Sequence, residues 1–229
     1  MTPRSIAFAA CIALLAGCAQ QPSAQASSPD TANAQAATRL LAVADKARIQ
    51  GSDSAKVWLV VASDFQCPFC KMFHDTTYKL ILTNYVATGK IRIAYLNHPM
   101  PAHPFAMVSA EAAMCSAMQH KFWEMHDSLF ASQDRWATRA NPVPVFDSLA
   151  ARLQLQMTDW RSCMSNHSTR PMIDADNART KATGVTGTPT FFIGNKLSIV
   201  GAQPYAEFRD SLNAELARAG RPPGNSKKP

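Results

Sequence analysis

The sequence predicts an α/β domain that carries an all-helical insertion. Residues 56–96 hold two short apolar runs rich in β-branched side chains, with a stretch of helical periodicity between them. Residues 190–219 hold two further strand-like runs and then an amphipathic stretch. The long region between these parts shows almost only helical patterns. We therefore expect one three-layer α/β domain with a helical insertion, and not two independent domains.

The first half of the domain is predicted to be a strand–helix–strand unit. Lys56–Ala62 (KVWLVVA) is a short apolar run typical of a buried strand. Apolar residues then recur at helical spacing from Phe69 to Thr88, and Gly89 ends that helix. Ile91–Leu96 (IRIAYL) is predicted to be the second strand. This order of elements implies that the two strands run parallel.

The second half combines the insertion with a hairpin and a closing helix. Residues 101–183 are rich in Ala, Met, Leu and Gln and are punctuated by prolines, which predicts several helices. Thr190–Ile193 and Leu197–Val200 flank a Gly-Asn pair, an arrangement typical of a β-hairpin. Tyr205–Ala219 is amphipathic and ends the domain, which we place at residues 45–219.

The N-terminus carries the features of an export signal. Arg4 precedes an apolar run, Ser5–Ala16, of the length found in signal peptides. The run leads into Leu15-Ala16-Gly17-Cys18, which resembles the lipobox of bacterial lipoproteins. That resemblance implies that residues 1–17 are a signal peptide, that Cys11 is lost with it, and that Cys18 is lipidated. An ordinary secretory signal peptide that merely contains a cysteine is the alternative.

The segments beside the domain show little apolar patterning. We expect residues 18–44 to form a flexible linker, because Ala, Gln and Ser dominate its first half. Residues 220–229 are expected to be a disordered tail. Ala19 stands where an aspartate would mark a lipoprotein for the inner membrane, so the resemblance implies anchoring in the outer membrane.

The net charge of +7 does not indicate a nucleic-acid partner. Lys and Arg are scattered, apart from Lys227-Lys228 in the tail, which is the pattern of a solvated basic surface. A hydrophobic content of 47% excludes a disordered protein. No apolar run after residue 17 is long enough to span a bilayer. Membrane contact is therefore expected only through the lipid anchor.

The central motif is Cys67-Pro68-Phe69-Cys70, which follows a predicted strand and opens a predicted helix. Unpaired N–H groups and the helix dipole stabilise a thiolate at a helix N-terminus, so Cys67 is the candidate nucleophile and Cys70 its partner. A structural disulfide here would constrain the unfolded chain little. A zinc site would need ligands that no second C-x-x-C supplies. The motif therefore predicts redox chemistry by a Cys67–Cys70 disulfide, with no cofactor.

A second motif, Gly187-Thr188-Pro189-Thr190, comes just before the third strand, and Pro189 is expected at the first residue of that strand or beside an unpaired edge. Together, DFQCPFC at 64–70 and GVTGTPTFFIG at 184–194 resemble the DsbA-like branch of the thioredoxin superfamily. AMC at 113–115 and KFWEMH at 121–126 match the helical insertion of that branch. The resemblance implies a thioredoxin-like fold with an inserted all-helical subdomain. It also implies a cis Pro189 packed against the active-site disulfide, and substrate binding by Thr188, Pro68 and Phe69.

The sequence departs from that branch at three points. Many relatives carry a buried acid six residues before the first cysteine, where this chain has Val61; Asp64 is the nearest acid and is expected to flank the site. Pro68-Phe69 lacks the histidine of the strongest oxidants. Thr188 is the residue type that the disulfide isomerases carry. These departures leave the redox direction open.

Cys115 and Cys163 are the two remaining cysteines. Cysteines pair by default in an oxidising compartment, and the resemblance implies a second, non-catalytic bridge in the helical insertion. The alternative is a pair of buried free thiols.

The predicted function is the introduction of disulfides into exported cysteine-containing proteins, in the periplasm, by dithiol–disulfide exchange. Such a protein needs a membrane partner that reoxidises its dithiol, and we expect it to be a monomer. A disulfide reductase or isomerase is the alternative within the family, although the N-terminal region has no room for the isomerases' dimerisation domain. A periplasmic copper-binding protein is the alternative from another class, because thioethers suit Cu(I). Methionine at helical spacing is more often core filler. The residues that suggest copper are Met114, Met118, Met125, His120 and His126.

Overall fold

The structure, a computed structural model, describes residues 29–220. The predicted signal peptide, the lipidation residue Cys18, the first part of the predicted linker and nearly all of the predicted tail lie outside the described residues. Within residues 29–220, no helix combines the length and the apolar character that crossing a bilayer requires.

A five-stranded mixed sheet forms the centre of the domain. The spatial order of its strands is β1-β3-β2-β4-β5. The central strand β2 runs parallel to β3, and the other neighbouring pairs are antiparallel. This is the strand–helix–strand pairing that the sequence predicts. The strands span Ile49–Gly51 (β1), Val57–Ser63 (β2), Ile91–Asn97 (β3), Thr190–Ile193 (β4) and Lys196–Val200 (β5).

The register of the sheet places apolar residues of three strands side by side. Leu59 lies opposite Ile93 on β3 and opposite Ile193 on β4. All three side chains are buried, because alternate residues of a strand point to the same face. They belong to the hydrophobic core that the sheet shares with Phe208 and Leu212.

One helical segment follows β2 directly and another ends the domain. The first comprises α2 (Pro68–Phe73), a π-helical turn (His74–Tyr78), α3 (Lys79–Ile81) and a second π-helical turn (Leu82–Val86). The last helix, α10, spans Tyr205–Ala219, as predicted.

The insertion consists of six helices between β3 and β4. Their buried side chains form a second hydrophobic core, which also takes in Phe65, Cys67, Cys70 and Tyr95 beside the sheet. The insertion therefore packs directly against the C-x-x-C motif. Its helices are α4 (Ala106–Ala117), α5 (Phe122–Ala131), α6 (Gln133–Trp136), α7 (Val143–Arg152), α8 (Met157–Ser165) and α9 (Arg170–Ala182).

The prediction of a flexible linker over residues 18–44 is wrong from Pro29 onward. Residues 29–47 form helix α1, and its Ala44 is completely buried in the core of the insertion. Alanine, leucine and arginine favour a helix, and Leu41, Ala44 and Ala47 recur at the spacing of one helix face. The short edge strand β1, which the sequence did not predict, follows at once.

Cys115 on α4 and Cys163 on α8 form a disulfide bond, with their Cα atoms 5.8 Å apart. The structure thus contains the second bridge rather than two free thiols. The bond joins two helices of the insertion, away from the C-x-x-C motif in sequence.

Candidate functional site

The turn between β2 and α2 presents Cys67 at the start of the helical segment. Cys67 is the N-cap residue, with extended backbone angles (φ −68°, ψ 125°), and Pro68 occupies the first turn, where no N–H is required. The Cys67 N–H donates to the Asp64 carbonyl over 3.1 Å, and the Cys67 carbonyl accepts from the Lys71 N–H over 3.1 Å. These bonds leave the Cys67 sulfur beside the free N–H groups of the first helical turn.

The two thiols of the motif are unbonded, so the structure shows the reduced form. Cys67 is 4% exposed and Cys70 is 1% exposed. Pro68 and Phe69 lie between them and are exposed, and 57% of the Phe69 surface is open to solvent. A partner protein can therefore contact Phe69 and the exposed edge of Cys67. Cys70 is not accessible to it.

The pKa values of the two thiols are displaced in opposite directions. A hydrogen bond from Cys70 is the largest cause that lowers the pKa of Cys67, from 9.0 to about 6. Bonds from the Thr188 hydroxyl and from the Cys70 and Phe69 backbone N–H groups act the same way, against the effect of burial. Burial raises the pKa of Cys70 well above its usual value, and the neighbouring Cys67 raises it further. At neutral pH the charge therefore resides on Cys67 and the proton on Cys70.

The loop before β4 lies against Cys67. The Thr188–Pro189 peptide bond is cis, and the Cys67 sulfur lies 3.3 Å from the Thr188 carbonyl oxygen, to which the thiol form donates. The Thr188 hydroxyl oxygen is buried and has no hydrogen-bond partner of normal geometry within residues 29–220 while Cys67 is a thiol, so it is available to donate to the Cys67 thiolate. The structure thus brings Thr188 and Pro189 to the thiols, although Thr188 is 121 residues from Cys67 in sequence.

Glutamine side chains that the sequence analysis did not single out hold the active-site turn. Gln133, on α6, donates to the Phe65 carbonyl over 2.7 Å and to the Cys67 carbonyl over 3.1 Å. Gln66, within the turn, donates to the Ala137 carbonyl over 3.0 Å. These bonds tie the turn to the insertion. The sequence contains no motif that predicts these roles for the two glutamines. The general rule that buried polar side chains form hydrogen bonds does not identify their partners.

Asp64 flanks the site, as expected from its position after β2, and its carboxylate is completely buried. The carboxylate accepts hydrogen bonds from the backbone N–H groups of Gln66 (2.8 Å) and Met100 (2.9 Å). It also lies 2.7 Å from Nδ1 of His103. The Asp64 backbone also hydrogen-bonds to the Cys70 sulfur. Asp64 therefore anchors the loop after β3 to the active-site turn.

The methionines that suggested copper are packed as apolar side chains. Met114 and Met125 are completely buried in the core of the insertion. Met118 contacts the disulfide, with its sulfur 3.5 Å from that of Cys163. His126 is occupied by a hydrogen bond to Asp127. None of these contacts favours the copper-binding alternative.

Comparison with known proteins places the chain in a family. A family model described as Thioredoxin matches residues 44–214. The chain belongs to the thioredoxin family. Within this family the chain is 22% identical, over 175 residues, to disulfide bond formation protein D of Bacillus subtilis. The match covers 73% of this chain and 76% of that protein. It is also 32% identical over 153 residues to the Na(+)/H(+) antiporter NhaA 3 of Salinispora tropica, covering 66% of this chain.

The chain spans only 22% of the length of that antiporter. The crystal structure of alpha-DsbA1 from Wolbachia pipientis superposes with a TM-score of 0.68 at 20% identity, over 75% of this chain and 92% of that one. The superposition confirms the predicted thioredoxin-like fold with an inserted all-helical subdomain.

Proposed function

We propose that this thioredoxin-family protein is an exported thiol–disulfide oxidoreductase that introduces disulfides into cysteine-containing proteins. The observation that carries the proposal is the asymmetry of the two thiols. Cys67 is a stabilised thiolate at the edge of the site, and Cys70 is a buried thiol one helical turn behind it. Such a pair has one sulfur that partners reach and one that serves as the internal leaving group.

The proposed reaction begins with the Cys67–Cys70 disulfide. A substrate thiolate attacks the Cys67 sulfur, the Cys67–Cys70 bond breaks, and Cys70 departs with the electron pair and takes up a proton. The second substrate thiolate then attacks the substrate sulfur of this mixed disulfide. Cys67 leaves as a thiolate, which its lowered pKa favours. The substrate has lost two electrons, the enzyme has gained them, and a membrane partner has to remove them again.

Substrate recognition is proposed for the surface around Cys67. The exposed Phe69 and Pro68 offer apolar area, and the Thr188 carbonyl, 3.3 Å from the Cys67 sulfur, can accept a hydrogen bond from an extended substrate backbone. Pro189, buried beside them, limits the approach of other thiols. The exchange needs no cofactor besides the Cys67–Cys70 disulfide.

The location of the protein is part of the same proposal. The lipobox-like Leu15-Ala16-Gly17-Cys18 supports export and lipidation at Cys18, followed by anchoring in the outer membrane facing the periplasm. A membrane anchor of this kind leaves the thioredoxin-like domain free as a monomer, which fits an enzyme that has to meet both its substrates and its oxidant.

A pair of matched variants tests the proposed roles. Cys70→Ala keeps the attacking sulfur of Cys67 but removes the thiol that would release a bound substrate, so mixed disulfides with exported proteins should accumulate as high-mass bands that collapse on reduction. Cys67→Ala, the control, should form none, because Cys70 is almost completely buried. Equal trapping by both variants would contradict the assigned roles. The absence of trapping by both would reject the proposed function.

A further inference from the structure

A small cavity lies beside Cys70. Its volume is about 10 Å³, close to the minimum that a single water molecule requires. Ser63, Cys70, Tyr95 and His126 are among the residues that line it, together with Val61. Val61 stands at the position where many relatives carry a buried acid, so the cavity has an apolar side chain where an acid would be.

Two polar atoms at the cavity are buried without partners. The Tyr95 hydroxyl and the Trp123 indole N–H form no hydrogen bond of normal geometry within residues 29–220. The Ser63 hydroxyl lies beside both Tyr95 and the Cys70 sulfur. A buried polar group without a partner costs about 1–3 kcal/mol, and a buried water usually satisfies two to four such groups. The cavity therefore offers the polar partners that one water needs.

His126 connects this cavity to the surface. Its Nδ1 atom lies 2.8 Å from a carboxylate oxygen of Asp127, whose side chain is half exposed. The carboxylate is an acceptor, so Nδ1 carries the proton, and Nε2 is left as the proton acceptor. Nε2 of His74 lies 3.3 Å from the same Asp127 oxygen. Cys70 and His126 thus line one cavity, and His126 is linked in turn to the half-exposed Asp127.

Disulfide exchange requires such a route, because Cys70 has to lose or gain a proton while it is buried. Its thiol is 1% exposed and its pKa is well above the usual value. Val61 has no group that accepts a proton. The Asp64 carboxylate is bound to two backbone N–H groups and to His103, and Asp64 does not line the cavity.

We infer that the cavity holds one water molecule and that His126, oriented by Asp127, exchanges the proton of Cys70 with solvent through it. The inference rests on the proposed function and assigns a proton-transfer residue to the same site. When Cys70 attacks Cys67 of a mixed disulfide, its proton passes to the water, and a proton of the water passes to His126 Nε2. The Cys67–substrate bond breaks, the substrate leaves with the electron pair, the Cys67–Cys70 bond forms, and the imidazolium then releases its proton to solvent. The opposite direction follows the same steps in reverse.

The surroundings of His126 suit a proton acceptor at neutral pH. Burial lowers the pKa of His126 and outweighs the opposing effect of Asp127, so the ring is neutral, and its Nε2 forms no hydrogen bond within residues 29–220. Asp127 then stabilises the transient imidazolium, as a carboxylate does for a catalytic histidine. The titratable and charged groups that face His126 from the packed elements are Cys70, His74 with its partner Asp75, Tyr78, Tyr95 and Asp127.

The test measures the reactions of Cys67 and Cys70 as two successive kinetic phases. The reduced protein is mixed with 5,5′-dithiobis(2-nitrobenzoate) in a stopped-flow instrument between pH 5 and 9. Cys67 releases the first coloured thiolate, and attack by Cys70 on the resulting adduct releases the second. His126→Gln should slow the second phase about 100-fold near pH 6. The loss should shrink as the pH rises, because hydroxide then deprotonates Cys70, and the first phase should keep its rate.

Two further variants serve as an independent test of the cavity and as a control. Tyr95→Phe removes only the unpartnered hydroxyl and should also slow the second phase selectively. This variant serves if His126→Gln does not fold. His98→Gln is the matched control, because His98 is a buried histidine that bonds to Thr180 and does not line the cavity. Both of its phases should keep the rates of the unmodified protein.

The outcomes distinguish a failure of the proton route from a failure of the proposed function. A second phase with unchanged rate and pH profile in His126→Gln and Tyr95→Phe overturns the proton route and leaves the proposed function standing. A second phase slowed equally by His98→Gln also overturns it, since the loss then reflects general destabilisation. If the unmodified protein shows no first phase, Cys67 is not the nucleophile, and the proposed function fails together with the inference.

Discussion

The lowered pKa of Cys67 predicts a large change in its reactivity at neutral pH. With a pKa of about 6, roughly nine in ten Cys67 side chains are thiolates at pH 7, whereas a thiol at the ordinary value of 9.0 is about 1% ionised. The nucleophile is the thiolate, so its concentration rises about 90-fold. Cys70→Ala removes the hydrogen bond that contributes most to this shift. The pKa of Cys67 should therefore rise in that variant, because Thr188 and the backbone N–H groups alone then oppose the effect of burial.

Alkylation by iodoacetamide measures this directly. The reduced protein is labelled between pH 4 and 10, and mass spectrometry of its peptides distinguishes Cys67 from Cys70. The rate at Cys67 should have its midpoint near pH 6 and level off above about pH 7.5. Cys70→Ala should move that midpoint upward. A midpoint at or above 9.0 in the unmodified protein would refute the role of Cys67 as the activated thiol. An unmoved midpoint in Cys70→Ala would refute the assignment of its main cause.

Three further outcomes are expected. Thr188→Val removes the hydroxyl that bonds to the thiolate, so the alkylation midpoint of Cys67 should rise, but less than in Cys70→Ala, because Thr188 is the smaller cause; an unchanged midpoint would show that the hydroxyl does not reach the sulfur. Replacing Cys115 and Cys163 by alanine removes a bridge with a sequence separation of 48, which should cost at most about 4 kcal/mol in urea unfolding, and a cost near zero would mean that strain cancels the gain. Cys18→Ala should move the protein from the membrane to the soluble fraction on cell fractionation, and unchanged membrane association would reject the lipid anchor.

The parts of the fold that the sequence predicted well are those whose signal is local. Residues 190–193 and 205–219 match the predicted strand and helix, and the first strand is displaced by one residue. The position of the C-x-x-C motif at the start of a helix could be predicted from the adjacent residues, because an apolar strand precedes it and a helix follows it. Pro189 predicts the start of β4 for an equally local reason, since proline cannot lie inside a central strand.

Helix α1 could not be predicted from composition, because the same alanine-rich segment suits a linker and a helix. What decides between them is the packing of Ala44 against the insertion, a contact between distant parts of the chain. Gln133 was missed for the same reason, and His126 was singled out only as a possible copper ligand and not in connection with the thiols. Gln133 bonds to carbonyls 66 and 68 residues away, and His126 faces a cavity built from several elements. Within its own helix each has only the pattern of an ordinary buried position.

The displaced thiol pKa values also determine how the reduction potential should depend on pH. Below about pH 6, reduction of the Cys67–Cys70 disulfide consumes two protons with its two electrons, so the potential should fall by about 59 mV per pH unit. Above about pH 6, Cys67 stays a thiolate and only Cys70 takes a proton, so the slope should halve to about 30 mV. An ordinary pair of thiols would show this break near pH 9. At pH 7 the stabilised thiolate favours the reduced enzyme about tenfold over such a pair, which makes the disulfide about 30 mV more oxidising. Equilibration with glutathione buffers between pH 5 and 9 measures both slopes. A single slope of about 59 mV up to pH 8.5 would show that Cys67 is protonated when the enzyme is reduced, and the physical basis for an oxidising role would be lost.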